Sequence, residues 1–331
     1  MNRATRAGLA ALTAAGLLAG ALAATQAVTQ AADAAPRSPQ AASHAASAAR
    51  SASTAHAAST AHAASKAAST CNPDASSIRP SGPPQVTAGS YMAQIRTRGY
   101  LIAGVDQSTY HFGFLNPLDG QIEGFDIDMI RAVAKAIFGN PDKVVFKAIS
   151  DAQRIPDILN DSVDIVAHTM TITCMRLQQV DFSSVYFDAA QRVLVLKNSP
   201  ATSLASLKGQ KVCATTGSDS IATISAAGAI PVAVPYWTDC LVLLQQYDVA
   251  AISTDNSILA GLAAQDPFTK LIGPSLTAEP YGLAISKQHP DFVAFVNAVL
   301  QQLRTDGQWA ASYAHWVGTP VPAPPPAQYA P

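Results

Sequence analysis

The sequence predicts an α/β protein of two lobes, each built on an open, mostly parallel sheet, joined by two crossing strands. Short apolar runs alternate with segments of helical periodicity from Tyr100 onward, the order of β-α-β units with right-handed crossovers. The pattern restarts at "RVLVLK" (192 to 197) and runs through a second set of such units. The part able to fold, Cys71 to Gly318, holds roughly 230 to 250 residues, enough for two lobes of ordinary size.

The flanks read differently. Arg3 and Arg6 precede an uncharged stretch from Gly8 to Ala24, followed by small-residue cleavage motifs at "ALA" (21 to 23), "TQA" (25 to 27) and "ADA" (32 to 34). This is the order of a secretory signal over residues 1–34. The alternative is an uncleaved anchor: the stretch is long enough to span, but Ala/Gly-rich. Residues 35–70 are almost all Ala, Ser, Thr and His, with too few large apolar side chains to offset ordering entropy. This segment is a spacer, and His44, His56 and His62 belong to it rather than to a metal tract. The tail 319–331 is Pro-rich and expected to be extended.

In the first lobe, "YLIAGVD" (100 to 106) is a strand ending in a carboxylate. In "GFDIDMIRAVAKAIFGN", Ile127, Ile130, Val133, Ala134, Ile137 and Phe138 fall at helical spacing, with Asp126 as N-cap and Gly139-Asn140 as stop. "KVVFKAI" (143 to 149) is a strand, "RIPDILND" (154 to 161) a helix with Pro156 in its first turn, and "SVDIVAHTM" (162 to 170) a strand. Beyond 192, a strand at Lys211 to Ala214 meets a Gly/Ser turn and a helix. "CLVLLQQYD" is a helix, "VAAIS" a strand, and another helix follows. "PYGLAIS" (280 to 286) is a strand, and the last helix breaks near Gly307. Crossing strands are expected near Gln191 to Val195 and Pro280 to Ala284. The lobes are assigned as 71–190, 191–283 and a return at 284–318.

A net charge of −1, 13% charged residues and no basic block argue against nucleic acid. The four cysteines, Cys71, Cys174, Cys213 and Cys240, read as two disulfides behind an export signal, with three pairings open. No C-x-x-C or tight Cys/His spacing supports a metal, and no cofactor or catalytic residue is expected.

Polar groups cluster just past strand ends, where open α/β sheets place ligands: Asp106, the threonine-rich "TMTITCMR" (169 to 176), "TTGSDS" (215 to 220) and "STDN" (253 to 256). Arg176 offers a five-donor fork that fits a carboxylate. Ser218 to Ser220 open a helix whose free N–H groups favour an anion. Asp106 and Asp255 suit an ammonium. Together these groups complement a free amino acid.

The segments "YLIAGVD", "GFDIDMIRAVAKAIFG", "TMTITCMRLQQVDFSSVYF", "LKGQKVCATTGSDS", "DCLVLLQQYDVAAISTDNSILAG", "EPYGLAISK" and "FVNAVLQQLRTDGQWAASYAHW" resemble, in order and spacing over residues 98 to 317, the family 3 extracellular solute-binding proteins of polar amino-acid ABC importers. Within that family the chain resembles actinobacterial glutamate/aspartate/glutamine-binding members. The resemblance implies the type II periplasmic-binding-protein-like fold. It implies that Thr171 and Arg176 hold the ligand's α-groups and Thr169 makes a backbone contact. Ser218 and Asp219 would bind the α-carboxylate, Asp255 the ammonium, and Asp106 the side chain. Arg154 would meet a distal carboxylate, so an acidic ligand is expected, with amides weaker; the alternative is that Arg154 pairs with Asp151 or Asp157 on the surface. The aromatic wall is left to Tyr110, Phe112 and Phe114, because the family's frequent proline is His111 here. The "CNP" start and "TITC" cysteine imply pairs Cys71–Cys174 and Cys213–Cys240.

The implied function is binding, not catalysis. A monomeric, secreted protein closes on a polar amino acid and delivers it to an ABC permease at the outer face of the membrane. Cys71 lies too late in the chain for a lipobox, so no lipid anchor is expected. The alternatives are a sensor feeding a membrane signalling partner and a dehydratase on the same fold.

Overall fold

The computed structural model describes residues 71–331. The signal segment 1–34 and the spacer 35–70 lie outside the described residues.

The elements run α1 (Tyr91–Arg98), β1 (Leu101–Val105), β2 (Ser108–Thr109), β3 (Gly113–Leu115), β4 (Ile122–Glu123), α2 (Phe125–Phe138), β5 (Val144–Ala148), α3 (Arg154–Leu159), β6 (Ile165–Ala167), β7 (Asp181–Phe182), β8 (Phe187–Leu196) and β9 (Lys211–Thr215). They continue α4 (Ser220–Ala226), β10 (Ile230–Val234), α5 (Trp237–Gln245), β11 (Ala251–Asp255), α6 (Asn256–Gln265), β12 (Thr269–Ile272), β13 (Ala278–Tyr281), β14 (Ala284–Ile285), α7 (Pro290–Thr305) and α8 (Gln308–Trp316).

Two sheets result. One has the order β5-β1-β6-β14-β7, the other β10-β9-β11-β8-β12. In each, the three strands linked by helices are parallel: β5, β1 and β6 in the first, β10, β9 and β11 in the second. The strands that return from the other sheet, β14 and β8, add antiparallel. Three of the five strands in each order are thus parallel, and the strands added beyond them, β14 and β7 in the first and β8 and β12 in the second, pair antiparallel.

The apolar residues form separate cores. One holds Leu101, Ile130, Val133, Phe187, Tyr281 and Phe292, with a satellite around Ile158, Val166 and Phe182. The other holds Val193, Leu194, Val212, Trp237 and Leu259. β8 changes core along its own length: Phe187 and Ala189 belong to the first, Val193 to Val195 to the second. Its first half pairs with β13, from Phe187↔Tyr281 to Ala190↔Ala278, and its second half with β11 and β12. These two strands carry the chain between the cores.

Several local readings shift for physical reasons. Helix α2 starts at Phe125 with Gly124 as N-cap, not Asp126. A Cβ on Gly124 would lie 2.2 Å from the Phe112 carbonyl oxygen, so only glycine admits the close approach that frees Asp126 to turn inward. "PYGLAIS" divides into β13 and β14 around Gly282, which packs against Ile172. The small sheet β2-β3-β4 and strands β10 and β12 lacked a periodic signal at their short lengths. The Gly307 break is as read, with φ 81° between α7 and α8.

Both disulfides are Cys71–Cys174 and Cys213–Cys240. The first ties the start of the described chain to the end of the threonine segment, so Cys174 is structural.

Candidate functional site

The threonine segment begins where β6 ends. Ile172 N–H donates to Pro280 O at 2.8 Å and Gly282 N–H to Met170 O at 3.1 Å, so residues 170 to 172 are stitched to the end of β13. Thr169 sits at φ 42°, a conformation costly for a β-branched residue. It is held there by its amide, which donates to Asp126 Oδ2 at 2.7 Å, while Tyr186 Oη donates to the other oxygen at 2.6 Å. Burial raises the Asp126 pKa to about 6 against the opposing effect of these two donors. The Thr169 hydroxyl is buried without a hydrogen-bond partner among the described residues.

Two arginines follow the same strand ends. Arg176 Nη1 donates to Thr171 O at 2.7 Å, and Thr173 Oγ1 caps the Arg176 amide. Arg154 Nη1 lies 2.8 Å from Asp151 Oδ1 and donates to His168 O at 3.1 Å, while Nε donates to Asp151 O. Burial alone would raise Asp151, but Arg154 and His168 beside it hold it below the usual carboxylate range. Burial, then the neighbouring Arg154, lowers the Arg176 pKa.

The second core approaches through Gly217. Both arginines donate an Nη2 to its carbonyl at 3.3 Å. Its φ is +89°, and a Cβ there would lie 2.8 Å from Ala152 Cα, so only glycine fits against the first core. Thr215 Oγ1 donates to Asp151 Oδ2 at 2.5 Å across the same gap. At the rim, Gly261 of α6 lies against the Tyr110 carbonyl. The two cores are thus in contact around the cleft.

Asp219 and Asp255 act on Arg176, and Glu279 lies beside Asp219. Asp219 Oδ2 is 3.6 Å from Arg176 Nη1, and Ser218 is spent on its own turn, accepting from Ser220 N–H. Asp255 ends β11, is buried, and accepts from Tyr281 Oη at 2.6 Å. Burial, then Glu279 and Asp219, pushes the Asp255 pKa well above the carboxylate range. Glu279 on β13 is the third carboxylate. It is buried, accepts from Thr277 Oγ1 at 2.5 Å, and burial followed by Asp219 raises it.

Of the residues singled out in the sequence, Thr169, Thr171, Arg154, Arg176, Asp219 and Asp255 converge here. Asp106 does not offer a free carboxylate: it accepts from the amides of Gln107 and Ser108 and from the hydroxyls of Ser108 and Thr109, closing the turn after β1. Of the aromatic candidates, Phe112 is in the core against Phe125 and Phe187, and Phe114 packs on Tyr110 and Trp316. Tyr110 alone is left at the rim. Asp151 is the partner of Arg154 that the sequence allowed, but the pair is buried rather than on the surface; Glu279 and Tyr281 were missed. Glu279 and Tyr281 share a period of two on β13, so one face of that strand carries both.

Among the described residues no cluster of His, Cys, Asp or Glu could hold a metal ion, and no helix is long and apolar enough to cross a membrane.

Residues 101–319 match the bacterial extracellular solute-binding proteins, family 3. The chain is similar to the ABC transporter glutamine-binding protein GlnH of Bacillus subtilis, 38% identical over 229 residues, covering 68% of this chain and 84% of that protein. It is 36% identical over 204 residues to the glutamine-binding protein of Geobacillus stearothermophilus, covering 61% and 78%. Among solved structures, an ancestral arginine-binding protein bound to glutamine superposes with a TM-score of 0.63 at 34% identity, covering 67% of this chain and 99% of that one. With parallel strand ends from two cores facing one polar cleft, and a family match over most of the chain, the protein is a member of the family 3 extracellular solute-binding proteins and not an enzyme.

Proposed function

We propose that the protein binds a free polar amino acid between its two cores, outside the cytoplasmic membrane, and delivers it to an ABC-transporter permease. The observation that carries this reading is the meeting of unlike charges from different cores in one cleft: Arg176 from the first, Asp255 and Asp219 from the second. An α-carboxylate suits the Arg176 guanidinium, and an α-ammonium suits Asp255. The unpartnered Thr169 hydroxyl supplies a further polar contact.

The side chain of the ligand is read from what remains. An acidic side chain would be favoured if Arg154 lacked an anionic partner. Asp151 is that partner, and the guanidinium also serves two carbonyls. Glu279 adds a buried carboxylate to the same cleft. A second carboxylate on the ligand would meet this surplus without a free cation, so a neutral amide such as glutamine is preferred over glutamate or aspartate. The glutamine-binding relatives support the same choice.

Calorimetric titration with glutamine, asparagine, glutamate, aspartate and arginine tests the proposal. Glutamine should bind tightest. Tighter binding of glutamate would restore the acidic reading, and no binding of any amino acid would remove the proposal altogether.

A further inference from the structure

The Pro-rich tail is docked, not free, and it docks behind the strands that join the two cores. Ala330 N–H donates to Ser77 O at 2.8 Å, and the Arg79 guanidinium lies over the Tyr329 ring, 5.0 Å from its centroid. Ser77 is itself fixed: its hydroxyl donates to Phe182 O and accepts from Asn297 Nδ2, both at 2.7 Å. Val321 packs on the first core and Pro325 is buried. Between these anchors, Pro325, Pro326 and Gln328 wall a cavity of about 280 Å³ whose other side is formed by Asp188 and Ala189 of β8 and Ala278 to Pro280 of β13, with Asp74 and Val185 beside them.

Asp188 and Pro280 are paired across β8 and β13. Adjacent residues on a strand point to opposite faces. Tyr281, next to Pro280, reaches Asp255 in the cleft, so Pro280 and Asp188 present the face turned away from it. The tail therefore crosses the outer side of the two connecting strands while its own anchors lie on the first core. If the cores swing apart about these strands, the outer side narrows as the cleft widens, and Pro325 and Pro326 stand in that space. Proline-rich backbone is stiff and yields little when compressed.

We infer that residues 319–331 form a strap that limits how far the cores can open and so biases the protein toward the closed arrangement. A larger closed fraction raises apparent affinity for any ligand that needs closure.

The full-length protein and its Pro325→Gly/Tyr329→Ala variant test this without any ligand. Amide hydrogen exchange and small-angle scattering are compared. The strap requires amides of β8 and β13 in the variant to exchange about tenfold faster, an opening equilibrium shifted by one power of ten, with a larger radius of gyration and unchanged exchange in β1 and β9. Equal exchange in β8 and β13 overturns the inference. So does faster exchange spread evenly over both cores, because the tail would then be ordinary packing.

Discussion

Arg154 and Asp151 form an ion pair of 2.8 Å inside the protein, each side chain only 4% exposed. A buried pair of this kind costs little while intact and much when broken, since removal of one partner strands the other charge. Arg154→Ala should therefore lower stability by about 3–5 kcal/mol, a melting temperature lower by about 10 °C. Asp151→Asn in the same chain should recover part of the loss. Affinities for glutamine and glutamate should fall by the same factor. A selective loss of glutamate binding, read by calorimetry, would show Arg154 to be a contact for an acidic side chain.

Arg176→Ala should act on binding first. Its Nη1 bond to Thr171 O shapes the threonine segment, and its Nη2 reaches Gly217 O of the other core. Loss of a charge-assisted fork to a carboxylate is worth about 3 kcal/mol or more, over a hundredfold in affinity. Near-native titration curves for every amino acid would remove Arg176 from the site.

Binding should release protons. Burial and the neighbouring Glu279 and Asp219 raise Asp255, so this carboxyl holds its proton to a higher pH than usual. An ammonium beside it favours the charged form. Affinity should therefore rise with pH up to the raised pKa and level off above it. Titrations in buffers of different ionisation enthalpy measure the released protons directly, and Asp255→Asn should abolish the release together with most of the affinity. An unchanged slope in that variant would place the titrating group elsewhere.

Asp126 gives a stability term of known sign. Its pKa is about 6 in the folded protein, above the ordinary carboxylate value of about 3.9 in the unfolded chain. Its contribution is fully present below the lower value and is lost as pH rises through the upper one. The two-unit difference corresponds to about 3 kcal/mol. Urea unfolding of Asp126→Asn should lack this fall between pH 4 and 6. The asparagine oxygen can still accept from the Thr169 amide, while its NH2 replaces the oxygen that accepts from Tyr186 Oη, so the Thr169 conformation is kept.

The disulfides contribute through the unfolded chain. Cys71–Cys174 spans a sequence separation of 103 and Cys213–Cys240 one of 27. Chain entropy gives about 4–5 kcal/mol for the long loop and about 3–4 for the short one. The paired variants Cys71→Ala/Cys174→Ala and Cys213→Ala/Cys240→Ala should show that order in urea. A non-reducing peptide map yielding a 71–213 link would refute the pairing.

The sequence by itself determined the alternation of strands and helices, because periodicity follows from which faces are buried, and Ile130, Val133 and Ile137 leave no other register for α2. It also determined the polar strand ends at Thr169 to Arg176 and Ser253 to Asp255, since residue type alone marks a donor or a carboxylate. Only the tertiary structure decided who meets whom. Asp151 and Arg154 could equally have formed a surface pair; their burial depends on Gly217 arriving from another core. Asp106 looked like a free anion until its own turn supplied four donors. Glu279 sits in an ordinary strand segment and becomes part of the cleft only because β13 crosses between the cores. Side-chain pairing across long sequence separation depends on packing geometry, and local composition carries no record of it.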